Sequence, residues 1–275
     1  MNYFRQKLLL ALVLISCILL SASAGAQGKK DTLKVLFVGN SYTYVENLPQ
    51  LVSLLSEGTK TKLVTRKSTV GGAYLSEHWK SERGLKTREL ISKGKFDMVV
   101  LQDNSMATIQ QPDSTAKYAR LLCQLIRQSG AKPYFYMTWA RERVPQYQQE
   151  ITAIYSKIAK DNNATLVPVG QAWELARQLR PAISLFNPDG SHPSALGAIL
   201  SAYVFTCVLT GEVPSSIPGE FWIKDADGES VQLNGIDNLD AVFFQKVTEQ
   251  ILKDKNNLPT EPITRTNKEN KNIHQ

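Results

Sequence analysis

The residues of this chain that are best suited to chemistry begin with a serine on a predicted tight turn. Ser41 lies in the pentapeptide GNSYT at residues 39–43, directly after a strand-like run and before a helical pattern. A hydroxyl on such a turn is accessible, and helix-terminal N–H groups beside it can stabilise developing negative charge. The pentapeptide therefore indicates a nucleophile, although a turn serine or a helix N-cap fits it equally well. Because no Gly-x-Ser-x-Gly sequence is present, the nucleophile elbow of α/β-hydrolases is not expected.

A serine hydroxyl needs a base to take its proton, and imidazole has the suitable pKa. The sequence offers three histidines, of which His274 lies in a polar tail and His78 in a helix-like stretch, where a surface or half-buried position is expected. His192 lies in a loop before an apolar helix, with Asp189 three residues upstream. A carboxylate that close can accept the imidazole N–H and stabilise the imidazolium, which predicts a triad with Ser41. A capping loop with solvated side chains is the alternative.

Five short apolar runs predict the strands that must position these residues. They lie at residues 33–38, 62–65, 97–101, 134–137 and 165–167. Helical patterns separate them, for example at residues 118–126, which Gly130 follows, and at residues 151–158. Strands that alternate with helices predict an α/β fold, a three-layer α/β/α sandwich around a mostly parallel five-stranded sheet. Ligands bind such sheets at the carboxyl ends of the strands, where Ser41 is expected.

The N-terminal segment has the pattern of a secretory signal peptide. Residues 1–26 combine Arg5 and Lys7 with an apolar run at residues 8–20 and small residues at 22–26. This composition predicts export to the periplasm, the cell surface or the medium of a bacterium. Because the apolar run is too short to span a bilayer, stable membrane insertion is not expected.

A competing interpretation concerns a lipid anchor. The sequence LISC at residues 14–17 resembles a bacterial lipoprotein box, in which Cys17 would carry the lipid. The apolar run continues past that cysteine, which favours cleavage after Ala26 instead.

The remaining chain is predicted to form one domain at residues 27–253 and a disordered tail at residues 254–275. Within residues 212–253, turn residues between two short apolar runs predict a hairpin, and a last amphipathic helix follows. The tail is polar and has no apolar period.

Composition and charge exclude other classes of protein. The chain is 43% hydrophobic and 21% charged, which is enough apolar material for a packed core. Its 32 basic and 25 acidic residues give a net charge of +7, but the basic residues are scattered, so nucleic acid is not an expected partner. No Cys/His spacing suits zinc, and no metal site is expected. Cys123 and Cys207 are expected to be buried free thiols, with one disulfide as the alternative.

Four separated blocks resemble those of the SGNH hydrolases, also called GDSL-type esterases. They lie at residues 36–41, 70–73, 97–105 and 189–193. The resemblance implies the flavodoxin-like sheet of that superfamily, and it assigns Ser41 as the nucleophile with its backbone N–H in the oxyanion hole. Gly72, or Gly71 as the alternative, and Asn104 are the further oxyanion donors that it implies. The fourth block, with its Asp-x-x-His spacing, is the most specific.

The match departs from the family pattern at three positions. Asn40 lies where the family often has aspartate, Gln102 replaces a glycine of the third block, and Ser105 replaces its final aspartate. The two changes in the third block leave open the backbone course of the loop that carries Asn104.

The resemblance implies acyl-ester hydrolysis without a cofactor, and the likeness to exported bacterial members implies an acetyl ester on a polysaccharide or glycan. Two alternatives stay open: a lysophospholipase or other lipolytic esterase of the same family, and a non-catalytic carbohydrate-binding protein. The changes at Gln102 and Ser105 motivate the second. Tyr42 and Trp139 lie near predicted strand ends and are candidates for stacking on a sugar, although core packing is the commoner fate of such rings.

Overall fold

A computed structural model describes residues 30–253 of the chain. The expected signal peptide and the expected C-terminal tail lie outside the described residues, so these two assignments and the domain bounds stay predictions. Five strands of the described part share one sheet. They are β1 (Asp31–Gly39), β2 (Thr61–Thr69), β3 (Met98–Leu101), β4 (Lys132–Tyr136) and β5 (Thr165–Val167).

The strand order in this sheet is β2-β1-β3-β4-β5, the flavodoxin-like order. β3 pairs in parallel with β1 on one side and with β4 on the other, and β4 pairs in parallel with β5. In this register Phe37 lies beside Val100, which lies beside Tyr134. The carboxyl ends of β1, β3, β4 and β5 therefore meet at one edge of the sheet.

Helices connect the strands in this part of the chain. In chain order they are α1 (Ser41–Tyr44), α2 (Leu48–Leu55), α3 (Leu75–Lys80), α4 (Thr87–Lys93), α5 (Ala107–Gln110), α6 (Pro112–Gln128), α7 (Gln148–Asp161), α8 (Val169–Leu179), α9 (Ala195–Thr210) and α10 (Asn238–Lys253).

Side chains of each strand alternate between two apolar layers, because successive residues of a strand point to opposite faces. Val35 and Phe37 of β1 pack in one layer with α2, α8, α9 and α10. Leu36 and Val38 pack in the other with α3, α4, α6 and α7. The structure is thus the three-layer α/β/α sandwich that the sequence predicts, and the fold class is confirmed.

The strand at the edge of the sheet is longer than predicted. β2 extends to Thr69, whereas the apolar run ends at Thr65. Along β2 only Leu63 and Ser68 are buried, and Arg66 and Lys67 are not. An edge strand is only partly covered, so it can carry polar residues, and a pattern of apolar runs then predicts only part of its length.

The most buried helix is α9, which is apolar around its whole circumference. A helix of this kind must be covered on all sides, and α9 packs against the sheet and against its neighbours α2, α8 and α10. The ring of Phe205 meets Phe37 edge-on at 5.3 Å and Tyr136 at 4.8 Å between ring centroids. Among the described residues, no helix is both long and apolar enough to cross a membrane.

The predicted C-terminal hairpin is present as β6 (Glu220–Lys224) and β7 (Ser230–Gly235), which pair antiparallel. Its turn is closed by a hydrogen bond from the Asp225 N–H to the Glu229 carbonyl oxygen at 3.0 Å. The last helix follows as α10.

Both cysteines of the described chain, Cys123 and Cys207, are free and buried, so they do not pair with each other. Burial raises the pKa of each thiol to about 12. The first of the two expectations from the sequence, buried thiols, is the one the structure shows.

We predict that Phe205→Ala lowers the free energy of unfolding by about 3–5 kcal/mol, because it leaves a cavity between the sheet and α9. Urea unfolding measures this loss. Leu239→Ala is the matched control, since Leu239 is 75% exposed and its truncation should change stability by no more than about 0.5 kcal/mol. Similar losses in both variants would contradict the assignment of α9 as the centre of the core.

Candidate active site

The candidate site lies where the direction of chain crossover reverses. From β1 the chain passes to β2, which lies on one side of β1 in the sheet, and it then returns to β3, which lies on the other side of β1. Such a reversal leaves a crevice at the carboxyl ends of the two strands. Ser41 follows β1 at this crevice, and Asn104 follows β3.

A close backbone approach fixes the turn that carries Ser41. Gly39 ends β1, and a Cβ built on it would lie 2.4 Å from Oε1 of Gln102. Because the side chain is missing, that oxygen accepts hydrogen bonds from the Asn40 N–H and the Thr43 hydroxyl, each at 2.9 Å. Gln102, which replaces a glycine of the family pattern, thus supplies a fully buried carboxamide. From the end of β3 this group holds the turn that carries Ser41.

Asn40 caps α1 and joins the turn to two neighbouring loops. Its Oδ1 accepts the Tyr42 N–H at 3.1 Å, and its amide group donates to the carbonyl oxygens of Ala73 at 3.0 Å and Asp103 at 3.4 Å. An ionised aspartate could accept at the cap but could not donate to these carbonyls. The neutral asparagine at this position therefore suits the loops that surround it.

His78 supports the same turn from behind and is fully buried, so the expectation of a surface or half-buried position is wrong. Its Nε2–H donates to the Gly39 carbonyl oxygen at 3.0 Å, and its Nδ1 accepts from the Thr87 hydroxyl at 2.7 Å. The Thr87 hydroxyl lies 2.9 Å from that of Ser68. Burial lowers the pKa of His78 to about 4, so the ring is neutral near pH 7.

The structure brings Ser41, His192 and Asp189 into one chain of hydrogen bonds. The Ser41 hydroxyl lies 2.8 Å from His192 Nε2, and His192 Nδ1 lies 2.5 Å from Asp189 Oδ2. The other carboxylate oxygen accepts the backbone N–H groups of Ser191 and His192, each at 2.9 Å. The hydrogen bond from the His192 ring lowers the pKa of Asp189 to about 2, and these two N–H groups add to the effect.

The loop that carries His192, residues 187–194, is called the histidine loop. The loop after β4 holds it at two backbone carbonyls. Trp139 Nε1–H donates to the Ser191 carbonyl oxygen at 3.0 Å, and the Glu142 N–H donates to that of Gly190 at 2.9 Å. These contacts fix the loop without using the imidazole.

An aromatic stack lies beneath the histidine loop. Trp139 stacks on Trp173 at 3.6 Å and on Tyr42 at 4.8 Å between ring centroids, and Tyr42 meets the His192 ring edge-on at 5.6 Å. Tyr42 is 3% exposed and Trp139 is 1% exposed. Other rings cover both faces of Trp139, so the prediction that it stacks on a sugar is wrong. Tyr42 lines the cleft beside Ser41, so its contact with a substrate stays a prediction. Both rings support His192, and the Tyr42 hydroxyl lies 2.6 Å from Ser191 Oγ.

Three N–H groups near Ser41 are suited to hold an oxyanion. The backbone N–H groups of Ser41 and Gly72 have no protein acceptor in the described part of the chain. Gly72 has a φ of +70°, a backbone conformation that side chains disfavour. The Asn104 amide donates to the Gly72 carbonyl oxygen at 3.1 Å, while its oxygen accepts the Met106 N–H at 3.2 Å. This arrangement orients the amide N–H₂ group and leaves one of its two hydrogens for a ligand.

Asp103 positions the loop that carries Asn104. Its carboxylate accepts the N–H groups of Leu75 at 2.9 Å and Asn104 at 2.8 Å, and the Thr115 hydroxyl at 2.7 Å. Burial raises the pKa of Asp103, and these three hydrogen bonds oppose that effect. The carboxylate thus joins the end of β3 to α3 and α6.

Ser41, His192, Gly72 and Asn104 line one cleft of about 380 Å³. The residues that line it are Asn40, Ser41, Tyr42, Tyr44, Gly71, Gly72, Asn104, Ser105, Arg141, Ser191 and His192. No aliphatic side chain belongs to this set, and Arg141 is its one Lys, Arg, Asp or Glu side chain.

Sequence reasoning missed the supporting residues of the site and Arg141. Gln102 and Asp103 directly follow the predicted strand at residues 97–101, and Arg141 follows the one at residues 134–137. Their positions directly after predicted strands could have indicated them, since residues after parallel strands meet at one edge of the sheet. Within residues 30–253, no group of three or more His, Cys, Asp or Glu side chains could hold a metal ion. The expectation that no cofactor is needed stays a prediction.

A serine, a histidine and an aspartate in hydrogen-bond contact at the carboxyl edge of a flavodoxin-like sheet are typical of serine hydrolases. Comparison of the sequence with protein-family models and with curated proteins finds no match. Among solved structures, the chain is similar to one described as "a putative SGNH hydrolase from Slackia heliotrinireducens", with 25% identity and a TM-score of 0.53. That match covers 64% of this chain and 98% of the other.

A second similar structure is a DUF4886 family protein from Bacteroides uniformis. It has 20% identity and a TM-score of 0.64, and the match covers 83% of this chain and 98% of that chain. This likeness supports the fold. The similarity to the putative SGNH hydrolase agrees with the four sequence blocks and with the geometry of the site. The chain belongs to the SGNH hydrolase superfamily, as its sequence predicts.

We predict that His78 makes the fold sensitive to acid. Its pKa is about 4 in the folded chain against an ordinary value of 6.5, so between these pH values the unfolded chain binds the proton more readily. The free energy of unfolding should therefore fall as the pH falls from 6.5 to 4, by about 3 kcal/mol in total from this residue. Urea unfolding of the wild type and of His78→Gln between pH 7 and pH 4 measures the difference.

The variant should have a flatter pH profile, since both proteins share all other titrating groups. Identical profiles would contradict the prediction. If His78→Gln does not fold, an NMR titration of the wild type gives the answer, because a His78 ring that protonates near pH 6.5 in the folded protein contradicts it as well.

Proposed function

We propose that this protein is a serine esterase that removes short acyl groups, acetyl above all, from a polysaccharide or glycan outside the bacterial cytoplasm. The observation that carries this proposal is the chain of hydrogen bonds from Ser41 through His192 to Asp189, which opens on a cleft with three N–H donors. No group beyond the chain's own residues is required by this chemistry.

In the first half of the reaction, the Ser41 oxygen attacks the ester carbonyl carbon while His192 Nε2 takes the hydroxyl proton. The distance of 2.8 Å between these two atoms is already suitable for the transfer. Asp189 accepts the Nδ1–H, which fixes the tautomer with Nε2 free to act as the base.

The attack places negative charge on the carbonyl oxygen of the substrate. The backbone N–H groups of Ser41 and Gly72 and the amide of Asn104 are the donors for that charge. Preorganised donors act here without reorientation, and the loss of one typically costs about 10²–10³ in turnover.

His192 then gives its proton to the leaving alcohol, and the acyl group stays on Ser41. A water molecule attacks this acyl-enzyme, with His192 again taking a proton, and the carboxylic acid leaves as the serine hydroxyl is restored. The two halves use the same groups in the same places.

The lining of the cleft supports a short acyl group and a polar alcohol. A long acyl chain would need an apolar groove, and no aliphatic side chain lines this cleft. Hydroxyl, amide and guanidinium groups around Ser41 are suited to a hydroxyl-rich substrate. Tyr44, which is partly exposed at the cleft, offers an aromatic ring there. The predicted signal peptide supports the location.

We predict that Ser41→Ala and His192→Ala each reduce the kcat/KM for p-nitrophenyl acetate by about 10⁴-fold or more. Asp189→Asn should cost less, on the order of 10²-fold, because the carboxylate is 48% exposed and water screens its charge. Thermal unfolding of each variant confirms that the fold is intact. Full activity in folded Ser41→Ala would contradict the proposed nucleophile.

We also predict that p-nitrophenyl acetate is hydrolysed with a higher kcat/KM than p-nitrophenyl octanoate, since no aliphatic side chain lines the cleft to bind the longer chain. Steady-state kinetics on both esters give the ratio. Faster turnover of the octanoate would favour the lipolytic alternative. Glycan binding without hydrolysis of any ester would favour the non-catalytic one.

A further inference from the structure

Arg141 lies beside the reacting groups but takes no part in the mechanism described above. It lines the same cleft as Ser41 and His192, although it belongs to the loop after β4. Its Nη2 group donates to Ser105 Oγ at 3.0 Å, next to the oxyanion donor Asn104. The guanidinium is therefore held a short distance from the place where the ester carbonyl would bind.

No carboxylate of the described residues forms an ion pair with Arg141. Among residues 30–253, no carboxylate lies within 4.0 Å of this guanidinium, and its one hydrogen-bond partner is a neutral hydroxyl. Asp189, the acidic residue of the histidine loop, is already bound to the His192 ring. Several N–H donors of the guanidinium thus stay available at the cleft.

The backbone around Arg141 is fixed on both sides. The Ala140 N–H donates to Gln148 Oε1 at 2.7 Å, and the Glu142 N–H donates to the Gly190 carbonyl oxygen at 2.9 Å. The Arg141 carbonyl oxygen itself accepts the Val144 N–H at 3.0 Å. A cation presented from a fixed backbone can recognise a ligand with little loss of chain entropy.

We propose that Arg141 selects esters whose alcohol part carries an anionic group, a carboxylate or a similar oxyanion. A guanidinium binds such groups through paired, charge-assisted hydrogen bonds, and it meets no competing carboxylate here. This inference rests on the proposed function: an acetyl group has no charge, so the anion must lie on the alcohol side. Arg141 then discriminates between acidic and neutral substrates of the same reaction.

The test compares two acetyl esters, 3-acetoxybenzoate, whose alcohol part carries a carboxylate, and its methyl ester, in which that group is neutral. The measured quantity is the ratio of their kcat/KM values, in wild type, Arg141→Met, Arg141→Lys and Arg143→Met. Arg143 is the matched control, because it lies in the same loop but does not line the cleft. Its replacement removes the same charge from the same region.

The wild type should prefer the anionic ester. Arg141→Met should lower the ratio about tenfold or more, as expected for the loss of charge-assisted hydrogen bonds. Arg141→Lys should give an intermediate ratio, because it keeps the charge but loses the paired N–H donors of the guanidinium. Arg143→Met should leave the ratio unchanged.

Equal ratios in wild type and Arg141→Met would overturn the inference while leaving the esterase intact. Equal reductions in Arg141→Met and Arg143→Met would also overturn it, since they would show a general effect of charge. A drop in Arg141→Met that is seen only with an anionic acyl group, as in mono-p-nitrophenyl succinate, would overturn the placement on the alcohol side. No hydrolysis of p-nitrophenyl acetate or of either acetoxybenzoate by the wild type would instead contradict the proposed function.

Discussion

The geometry of the candidate active site depends on one close approach, that of the Gln102 side chain to the backbone of Gly39. With any side chain at position 39, the carboxamide could not reach the Asn40 N–H and the Thr43 hydroxyl, because a Cβ would lie 2.4 Å from its oxygen. His78 holds the carbonyl oxygen of the same glycine from the other side. The turn is thus fixed by buried hydrogen bonds at the Gly39 carbonyl oxygen and at the N–H of the next residue, Asn40, and the loss of either leaves a buried group unsatisfied. The orientation of Ser41 follows from this arrangement.

The histidine loop is held in a different way, because it lies at the surface. Asp189 is about half exposed, so water screens its charge, and its main contribution is to orient the imidazole rather than to stabilise charge on it. The position of the loop then rests on backbone contacts, from Trp139 to Ser191 and from Glu142 to Gly190. The aromatic stack beneath makes Trp139 a rigid support. Burial fixes the serine, and hydrogen bonds to backbone carbonyls fix the histidine.

The sequence predicted the order of the strands along the chain, the class of fold and the positions of Ser41, Asp189 and His192 near one edge. These features follow from local patterns, namely apolar runs, turn residues and short spacings. What could not be predicted depends on contacts between distant segments. The burial of His78 follows from its contact with Gly39. Gln102 departs from the family pattern, and its role is visible only from its hydrogen bond to Asn40 after the neighbouring strand. Trp139 was a candidate for stacking on a sugar because its position at a strand end does not reveal the rings that cover it.

The loop after β4 links the support of the histidine to the recognition of the substrate. Its Trp139 side chain and Glu142 backbone hold the histidine loop, while Arg141 between them points into the cleft and is not used as an anchor. The anchors are an indole, which is buried, and a backbone N–H, which every residue except proline supplies. The side chain at position 141 is therefore free to differ without moving His192. A scaffold of this kind lets substrate preference change at one residue while the geometry of Ser41, His192 and Asp189 stays the same, because a loop can vary on a rigid fold.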